Sequence, residues 1–215
     1  MEIRTSSKPM SHPKRAALNQ SGMVFMVSVW EAYIEDVARE IADHIALYAK
    51  TFDELPKRLQ TIITDGMIVA KTPRWLPRDI AGDGWREVVR TNSRQKCSDL
   101  NTPNEKNVNT LIHDTTGLAG LSESWQWQGA RQGGPAALLD ETISIRGDIV
   151  HTAQKPPELN ANWIKTYGGN ITQLVNRTDS ALFEYGATFG TMIDFKDSTG
   201  EAARQWLTED DHPAS

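Results

Sequence analysis

The stretch that decides the fold is VSVWEAYIEDVAREIADHIALY, residues 27–48. Its apolar side chains recur every three or four positions, at Val27, Trp30, Ile34, Val37, Ile41, Ile45 and Tyr48. This spacing places them on one stripe of an amphipathic helix. The pattern predicts a single long helix from Ala16 to about Lys50, with one face buried against the rest of the protein.

Further helical patterns follow towards the C-terminus. One extends from Phe52 to about Ala70, with Pro56 in its first turn and Thr72-Pro73 as its end. Another covers 135–150, and a fourth covers 163–186. We expect the first and last of the long helices to be antiparallel and to flank the set, with the helix 135–150 against them.

The middle of the chain, residues 71–135, is less regular and punctuated by proline and glycine. Its first part, at Trp85–Val89, fits a short helix or a strand. Thr102 is the expected N-cap of a helix that starts at Pro103 and stops near Gly117. From residue 122 to 135 we expect a loop anchored by two tryptophans, with base stacking as the alternative role for them: Trp125 and Trp127.

These patterns contain no convincing strand alternation and no internal repeat. They predict an all-α protein in which four to five main helices form one bundle around one core, with a less regular middle insertion. The expected organisation is a flexible arm over 1–15, a helical domain over 16–195 and a frayed tail over 196–215. Trp206 in the tail is a candidate to dock on the core.

Composition narrows the possible functions. The 215-residue chain is 39% hydrophobic and has a formal net charge of -5. This charge argues against a broad basic surface for binding nucleic acid, but it is compatible with a small cationic pocket. The single cysteine, Cys97, excludes an internal disulfide and fits a reducing compartment. There is no long apolar run for a membrane span, and residues 1–15 lack the apolar block of a signal peptide. We expect a cytoplasmic protein.

The segment with the most chemical content is Arg146-Gly147-Asp148-Ile149-Val150-His151. Histidine transfers protons near neutral pH, and arginine offers a charged fork to a phosphate. Such a pair can cleave RNA without a metal, with the substrate's 2′-hydroxyl as nucleophile. On a straight helix the two side chains diverge by about 140°. Either the helix frays near Ile149, or each side chain meets its counterpart from a second subunit across a two-fold axis.

The pair also has a purely structural interpretation. Arg146 then lies near a helix C-terminus, where a cation favours the dipole, and His151 caps that end. Glu31 and Glu35 lie one turn apart on the long helix and can pair with Arg146, or can belong to an ordinary exposed face. No spacing of histidine, cysteine or acid indicates a zinc site, and neither a phosphate-binding loop nor a dinucleotide motif is present.

Three segments together resemble the HEPN superfamily, in particular the bacterial families near the RiboL-PSP-HEPN and MAE-type HEPN domains. Residues 29–36 (VWEAYIED) resemble the first core helix of these domains. Residues 101–108 resemble the turn and helix in their middle, and residues 138–151 resemble the helix that carries an R-x4-6-H motif. The resemblance extends over about residues 20–190.

The resemblance implies an all-α bundle that dimerises around this motif, with Arg146 and His151 as the catalytic pair. Family members often have Asn, Asp or His after the arginine, where this chain has Gly147; Asp148, one place later, then orients His151, pairs with Arg146 or is simply solvated. Many relatives are metal-independent endoribonucleases of toxin–antitoxin, abortive-infection and CRISPR-linked systems.

The resulting expectation is a homodimeric endoribonuclease that acts on RNA, uses no cofactor or metal, and serves as a toxin or in antiphage defence. The alternative is a non-catalytic HEPN-like module for dimerisation or partner binding. An antitoxin or a nucleotidyltransferase-like protein is the expected kind of partner, and no membrane association is expected.

Overall fold

The computed structural model describes residues 12–68, 73–130, 134–152, 159–190, 193–196 and 202–205. Seven α-helices lie in this part of the chain, followed by a short hairpin. The helices are α1 (His12–Tyr48), α2 (Lys57–Ile68), α3 (Pro77–Ile80), α4 (Gly84–Ser98), α5 (Glu105–Thr116), α6 (Gly134–Thr152) and α7 (Ala161–Gly186). The predicted all-α bundle is confirmed.

Helix α1 is the central element of the bundle. The apolar stripe predicted from the sequence is buried along most of its length, with Trp30, Ile34, Ile41 and Ile45 fully inaccessible to solvent. The helix begins at His12, four residues before the expected Ala16. It packs against α4, α5, α6 and α7, so the long amphipathic pattern is the organising feature of the core.

The two long helices run parallel, and the prediction that they are antiparallel is wrong. The residue numbers of the contacting pairs increase along both helices. Asn19 Nδ2 donates to Leu159 O at 2.9 Å, Tyr33 Oη donates to Asp179 Oδ1 at 2.7 Å, and His44 Nε2 lies 3.1 Å from Gly186 O. The intervening helix α6 explains the direction. Its first residues meet the middle of α7, where Asn170 Nδ2 donates to Pro135 O at 3.2 Å, so α6 runs opposite to both long helices.

The middle of the chain is more regular than the sequence predicts. Residues Trp85–Val89 lie within α4, which together with α5 belongs to the core rather than to an insertion. The expected N-cap Thr102 is wrong. Asn104 caps α5, because its side-chain oxygen accepts a hydrogen bond from Asn107 N at 2.8 Å. Pro103 precedes the helix, and its carbonyl accepts the indole N–H of Trp30 at 2.9 Å.

Two further segments show where local geometry overrides periodicity. Residues 52–54 form a 3-10 turn, and α2 starts only at Lys57 because Leu55, before Pro56, is extended with ψ 147°. Residues 121–124 form a second 3-10 turn. The following loop is anchored as expected: Trp125 is buried, and its indole N–H donates to Thr178 Oγ1 at 2.9 Å.

One end of the bundle contains only three of the described helices. Helix α4 ends and α5 begins near Trp30 of α1. On the N-terminal side of Trp30, α1 is accompanied only by α6 and α7 among the described helices. This end has a small core of its own, formed by Met23, Leu138 and Tyr167 and surrounded by half-buried apolar side chains. We call residues 12–30, 138–152 and 159–173 the motif end, because it carries Arg146 and His151.

The C-terminal region adds an element that the sequence did not predict. Strands β1 (Ile193–Lys196) and β2 (Ala202–Gln205) pair antiparallel, with Ile193 opposite Gln205. Trp206, expected to dock on the core, lies outside the described residues. Among the helices described, none has the length and apolar character to cross a membrane.

Candidate functional site

The Arg146–His151 segment lies in the last turns of one unbroken helix. Helix α6 extends to Thr152, so of the two alternatives offered by the sequence, the one in which the helix frays near Ile149 does not hold. Five residues on a helix rotate a side chain by about 140°. Accordingly, Arg146 is half-buried towards the bundle, whereas His151 is exposed. One chain alone therefore does not direct the two side chains to a common point.

The buried part of Arg146 has an unused donor. Its Nε is shielded from solvent and has no hydrogen-bond partner among the residues described. Leaving a buried donor unsatisfied costs about 1–3 kcal/mol, more when the group is charged. The guanidinium also forms no ion pair within the described chain. An anionic group that approached this side chain would therefore find a cation without a competing carboxylate.

His151 differs from the other histidines in its access to solvent. Three histidine side chains are described, and only His151 among them is exposed. His44 is buried in the core, and burial lowers its pKa below the ordinary value. His113 is half-buried on α5. A proton-transfer role towards an external substrate is therefore open to His151 and closed to His44.

The residues between the pair have distinct surroundings. Asp148 is exposed and lies three positions before His151, a spacing that makes side chains neighbours on a helix. It lies about 160° away from Arg146 around the helix axis, since two helical steps of about 100° exceed a half-turn. Gly147 has open space at the position of a Cβ, with no atom within 4 Å. A methyl group therefore fits there without displacing a described neighbour.

The acidic residues of α1 stand apart from Arg146. Glu31 is half-buried and takes part in no hydrogen bond or ion pair within the described chain. Glu35 pairs with Arg39, at 3.7 Å between Oε2 and Nη1. Burial raises the pKa of Glu35, opposed by the charge of Arg39. Neither glutamate therefore forms an ion pair with the guanidinium of Arg146.

Exposed apolar side chains are concentrated beside the motif. Five large hydrophobic residues are exposed in the described chain, and all but Leu76 belong to the motif end: Leu18 (60%), Phe25 (71%), Val29 (47%) and Val150 (49%). Ile149 also lines an open groove of about 590 Å³ against α1, bordered by Phe25 and smaller side chains. A concentration of exposed apolar surface is typical of a protein–protein contact.

A buried charge cluster was missed by the sequence reasoning, and it lies away from the motif. Asp114, which is 4% exposed, accepts hydrogen bonds from Arg58 Nε at 2.8 Å and from Lys96 Nζ at 2.8 Å. Burial pushes the pKa of Asp114 up, but these two partners outweigh it and hold the pKa below the usual value. No local sequence pattern marks this cluster, because its members come from three helices. It stabilises the fold and has no link to the candidate site.

The described residues show no evident metal-binding site. The described residues contain no group of three or more histidine, cysteine or acidic side chains close enough to hold a metal ion. Cys97 is buried, and burial raises its pKa to about 11, so its thiol remains protonated at neutral pH.

The fold and the motif helix define a HEPN-type domain. The model of the RiboL-PSP-HEPN family matches residues 2–184, most of the chain. The chain therefore belongs to this family, whose domains are helical, are often ribonucleases, and commonly dimerise and bind RNA. Comparison with curated proteins and with solved structures found no match.

Proposed function

We propose that this protein is a metal-independent endoribonuclease of HEPN type whose site forms between two copies of the chain. The observation that carries the proposal is the position of the motif: a half-buried arginine with a free donor and an exposed histidine on opposite sides of one continuous helix. A second copy related by a two-fold axis supplies the complementary group to each. The exposed apolar residues around Phe25 give that copy a surface to cover.

The proposed reaction needs only the substrate and these side chains. The 2′-hydroxyl oxygen of a ribose attacks the adjacent phosphorus as its proton is transferred to a base, and the bond to the 5′-oxygen breaks as that oxygen gains a proton. The products are a 2′,3′-cyclic phosphate and a 5′-hydroxyl. His151 and its copy in the second chain act as base and acid, a role worth about 10²–10⁴-fold in rate.

Arg146 stabilises the charge that develops on the phosphate oxygens. A guanidinium binds two such oxygens at once and stays charged throughout the reaction. Asp148 is the neighbour of His151 on the helix, so we assign it the orientation of the imidazole rather than an ion pair with Arg146. Gly147 provides no polar group, and Glu31 supports the site only if association of the two chains alters its surroundings. In the cell, such an enzyme acts as a toxin or a defence component.

The test is cleavage of total RNA and of transfer RNA by the purified protein in EDTA. We expect fragments from the parent and none from Arg146→Ala or His151→Ala, with unchanged circular dichroism and thermal unfolding. His113→Ala is the matched control, because it removes a half-buried histidine away from the motif. Normal cleavage by both motif variants would refute the assignment. Absence of cleavage by every form would favour the non-catalytic partner-binding module.

A further inference from the structure

The first half of α1 has a solvent-exposed side that carries almost no charge. Between Arg15 and Glu31 the sequence contains no charged residue. Three large apolar side chains in this stretch are nevertheless exposed: Leu18, Phe25 and Val29. Exposed apolar surface without charges is typical of a contact with another protein surface.

Seven exposed residues of α1 form one continuous row, which we call the α1 face. They follow one another at steps of three or four positions, so they lie on one side of the helix. The row consists of Lys14, Leu18, Ser21, Phe25, Ser28, Ala32 and Asp36. From the first of these residues to the last, the face extends over about 33 Å.

The charges of the α1 face lie only at its two ends and have opposite signs. Lys14 is at one end, Asp36 is at the other, and Phe25 lies eleven positions from each. A copy of the helix placed parallel to the first opposes lysine to lysine and aspartate to aspartate. A copy placed antiparallel about Phe25 opposes Lys14 to Asp36 at both ends. Complementary charges of this kind fix the direction and the register of a contact.

Both terminal charges are available for such a contact. Lys14 is exposed and forms no ion pair with any described residue. Asp36 contacts Arg39 of the same helix through Oδ1, and its side chain remains 65% exposed. A carboxylate accepts more than one donor, so this pair leaves room for a lysine from a second copy.

We propose that a second copy of the chain packs its own α1 antiparallel on the α1 face, with a two-fold axis at Phe25. Phe25 then meets the partner's Phe25, and Leu18 meets the partner's Ala32, a large residue against a small one. Such a contact uses the same patch on both chains, so it closes after two copies. The inference rests on the proposed function for the need of a second copy, and it names the surface that joins the two.

The α1 face borders the motif helix. Ser21, Phe25 and Ser28 line the groove that Ile149 of α6 also lines. Ile149 belongs to the segment between Arg146 and His151. A copy seated on the α1 face therefore lies beside the motif of the first chain.

The experiment tests the register by disulfide formation between two different variants. Leu18→Cys and Ala32→Cys are prepared separately in full-length protein, mixed, allowed to exchange subunits and oxidised in a glutathione buffer. In the proposed contact the two new cysteines oppose each other, as a disulfide requires, because its Cα atoms lie about 4.4–6.8 Å apart. Two cysteines of the same variant are fourteen positions apart along the contact, about 21 Å, and out of reach. The native Cys97 is buried and does not compete.

The matched control replaces Ala32→Cys with Thr61→Cys, which introduces an exposed cysteine on α2 instead of on the α1 face. We expect a disulfide-linked dimer in the mixture of Leu18→Cys with Ala32→Cys, and mass spectrometry should show one chain of each variant in it. Each variant alone, and the control mixture, should remain single chains. Linkage within one variant alone, equal linkage in the control mixture, or no linkage in the test mixture would overturn the antiparallel contact at Phe25.

Cleavage of RNA by the parent protein is assayed separately, so the two proposals fail in different ways. A chain that forms the register-specific disulfide but cleaves no RNA refutes the proposed function and leaves the α1 contact standing. A chain that cleaves RNA but forms no such disulfide refutes the α1 contact and leaves the proposed function standing.

Discussion

A site shared between two chains makes a quantitative prediction for mixtures of active and inactive protein. The inactive form is the double variant Arg146→Ala/His151→Ala, which lacks both groups that diverge on α6. In a mixed dimer, each surviving side chain of the parent faces an alanine of its partner. Every mixed dimer is therefore inactive, whether a site uses one arginine with one histidine or all four groups together.

The expected activity follows from random pairing. At equal concentrations about a quarter of the dimers contain two parent chains, so after subunit exchange the mixture retains about a quarter of the activity of the same total amount of parent protein. A site contained within one chain gives about a half instead. The two outcomes differ twofold, which a fluorogenic RNA assay resolves.

The assay begins at the moment of mixing and continues while subunits exchange. Activity should start near a half, because the parent dimers are still intact, and fall to about a quarter as mixed dimers form. Exchange is monitored independently by energy transfer between differently labelled parent chains. Activity that stays at a half after exchange is complete would refute the shared site and would require Arg146 and His151 of one chain to act together.

Three further predictions concern the fold. Asp114→Asn should lower the free energy of unfolding by about 2–3 kcal/mol, below the full cost of breaking a buried ion pair because both cationic partners are partly exposed; a loss under about 0.5 kcal/mol in urea titration would contradict this. Since the folded pKa of Asp114 lies below its unfolded value, its stabilisation is present above the unfolded pKa and should disappear as the pH falls through the folded pKa, so the variant and parent should converge in acid. Gly117→Ala should cost at least about 2 kcal/mol, because φ is +87° and the added Cβ would lie 2.2 Å from Pro56 Cβ; Gly82→Ala, with φ +59° and no nearby atom, should cost about 1 kcal/mol and serves as the control. Met23→Ala should remove about 2–4 kcal/mol and raise amide exchange first at the motif end, and uniform exchange across the bundle would contradict a separate small core.

Most of the helices could be predicted from the sequence, because the periodicity of apolar residues is a local signal. The apolar stripe from Val27 to Tyr48 specified α1, and the patterns over 135–150 and 163–186 matched α6 and α7 within about two residues of their observed ends. The direction of α7 relative to α1 was not available from periodicity. It depends on how many helices intervene and on where they turn.

Other errors came from contacts between distant residues. Asn104 rather than Thr102 caps α5, and Pro103 is held before the helix by the indole of Trp30. The core role of α4 and α5 was hidden because their apolar residues are sparse and polar ones dominate the segment. The Asp114 cluster joins three helices and leaves no mark in any single one.

For the candidate site, the sequence predicted the residues but not their surroundings. It offered two ways to reconcile Arg146 with His151, and the continuous helix α6 removes the one that needs fraying.

The most direct test of the central claim is the chemistry of the ends that the protein leaves on RNA. Purified protein is incubated with transfer RNA in EDTA, and the fragments are analysed by mass spectrometry beside those from His151→Ala. We predict 2′,3′-cyclic phosphate and 5′-hydroxyl ends that appear with the parent only. Fragments with 3′-hydroxyl and 5′-phosphate ends, or cyclic phosphates made equally by His151→Ala, would contradict attack by the 2′-hydroxyl at a site that contains His151.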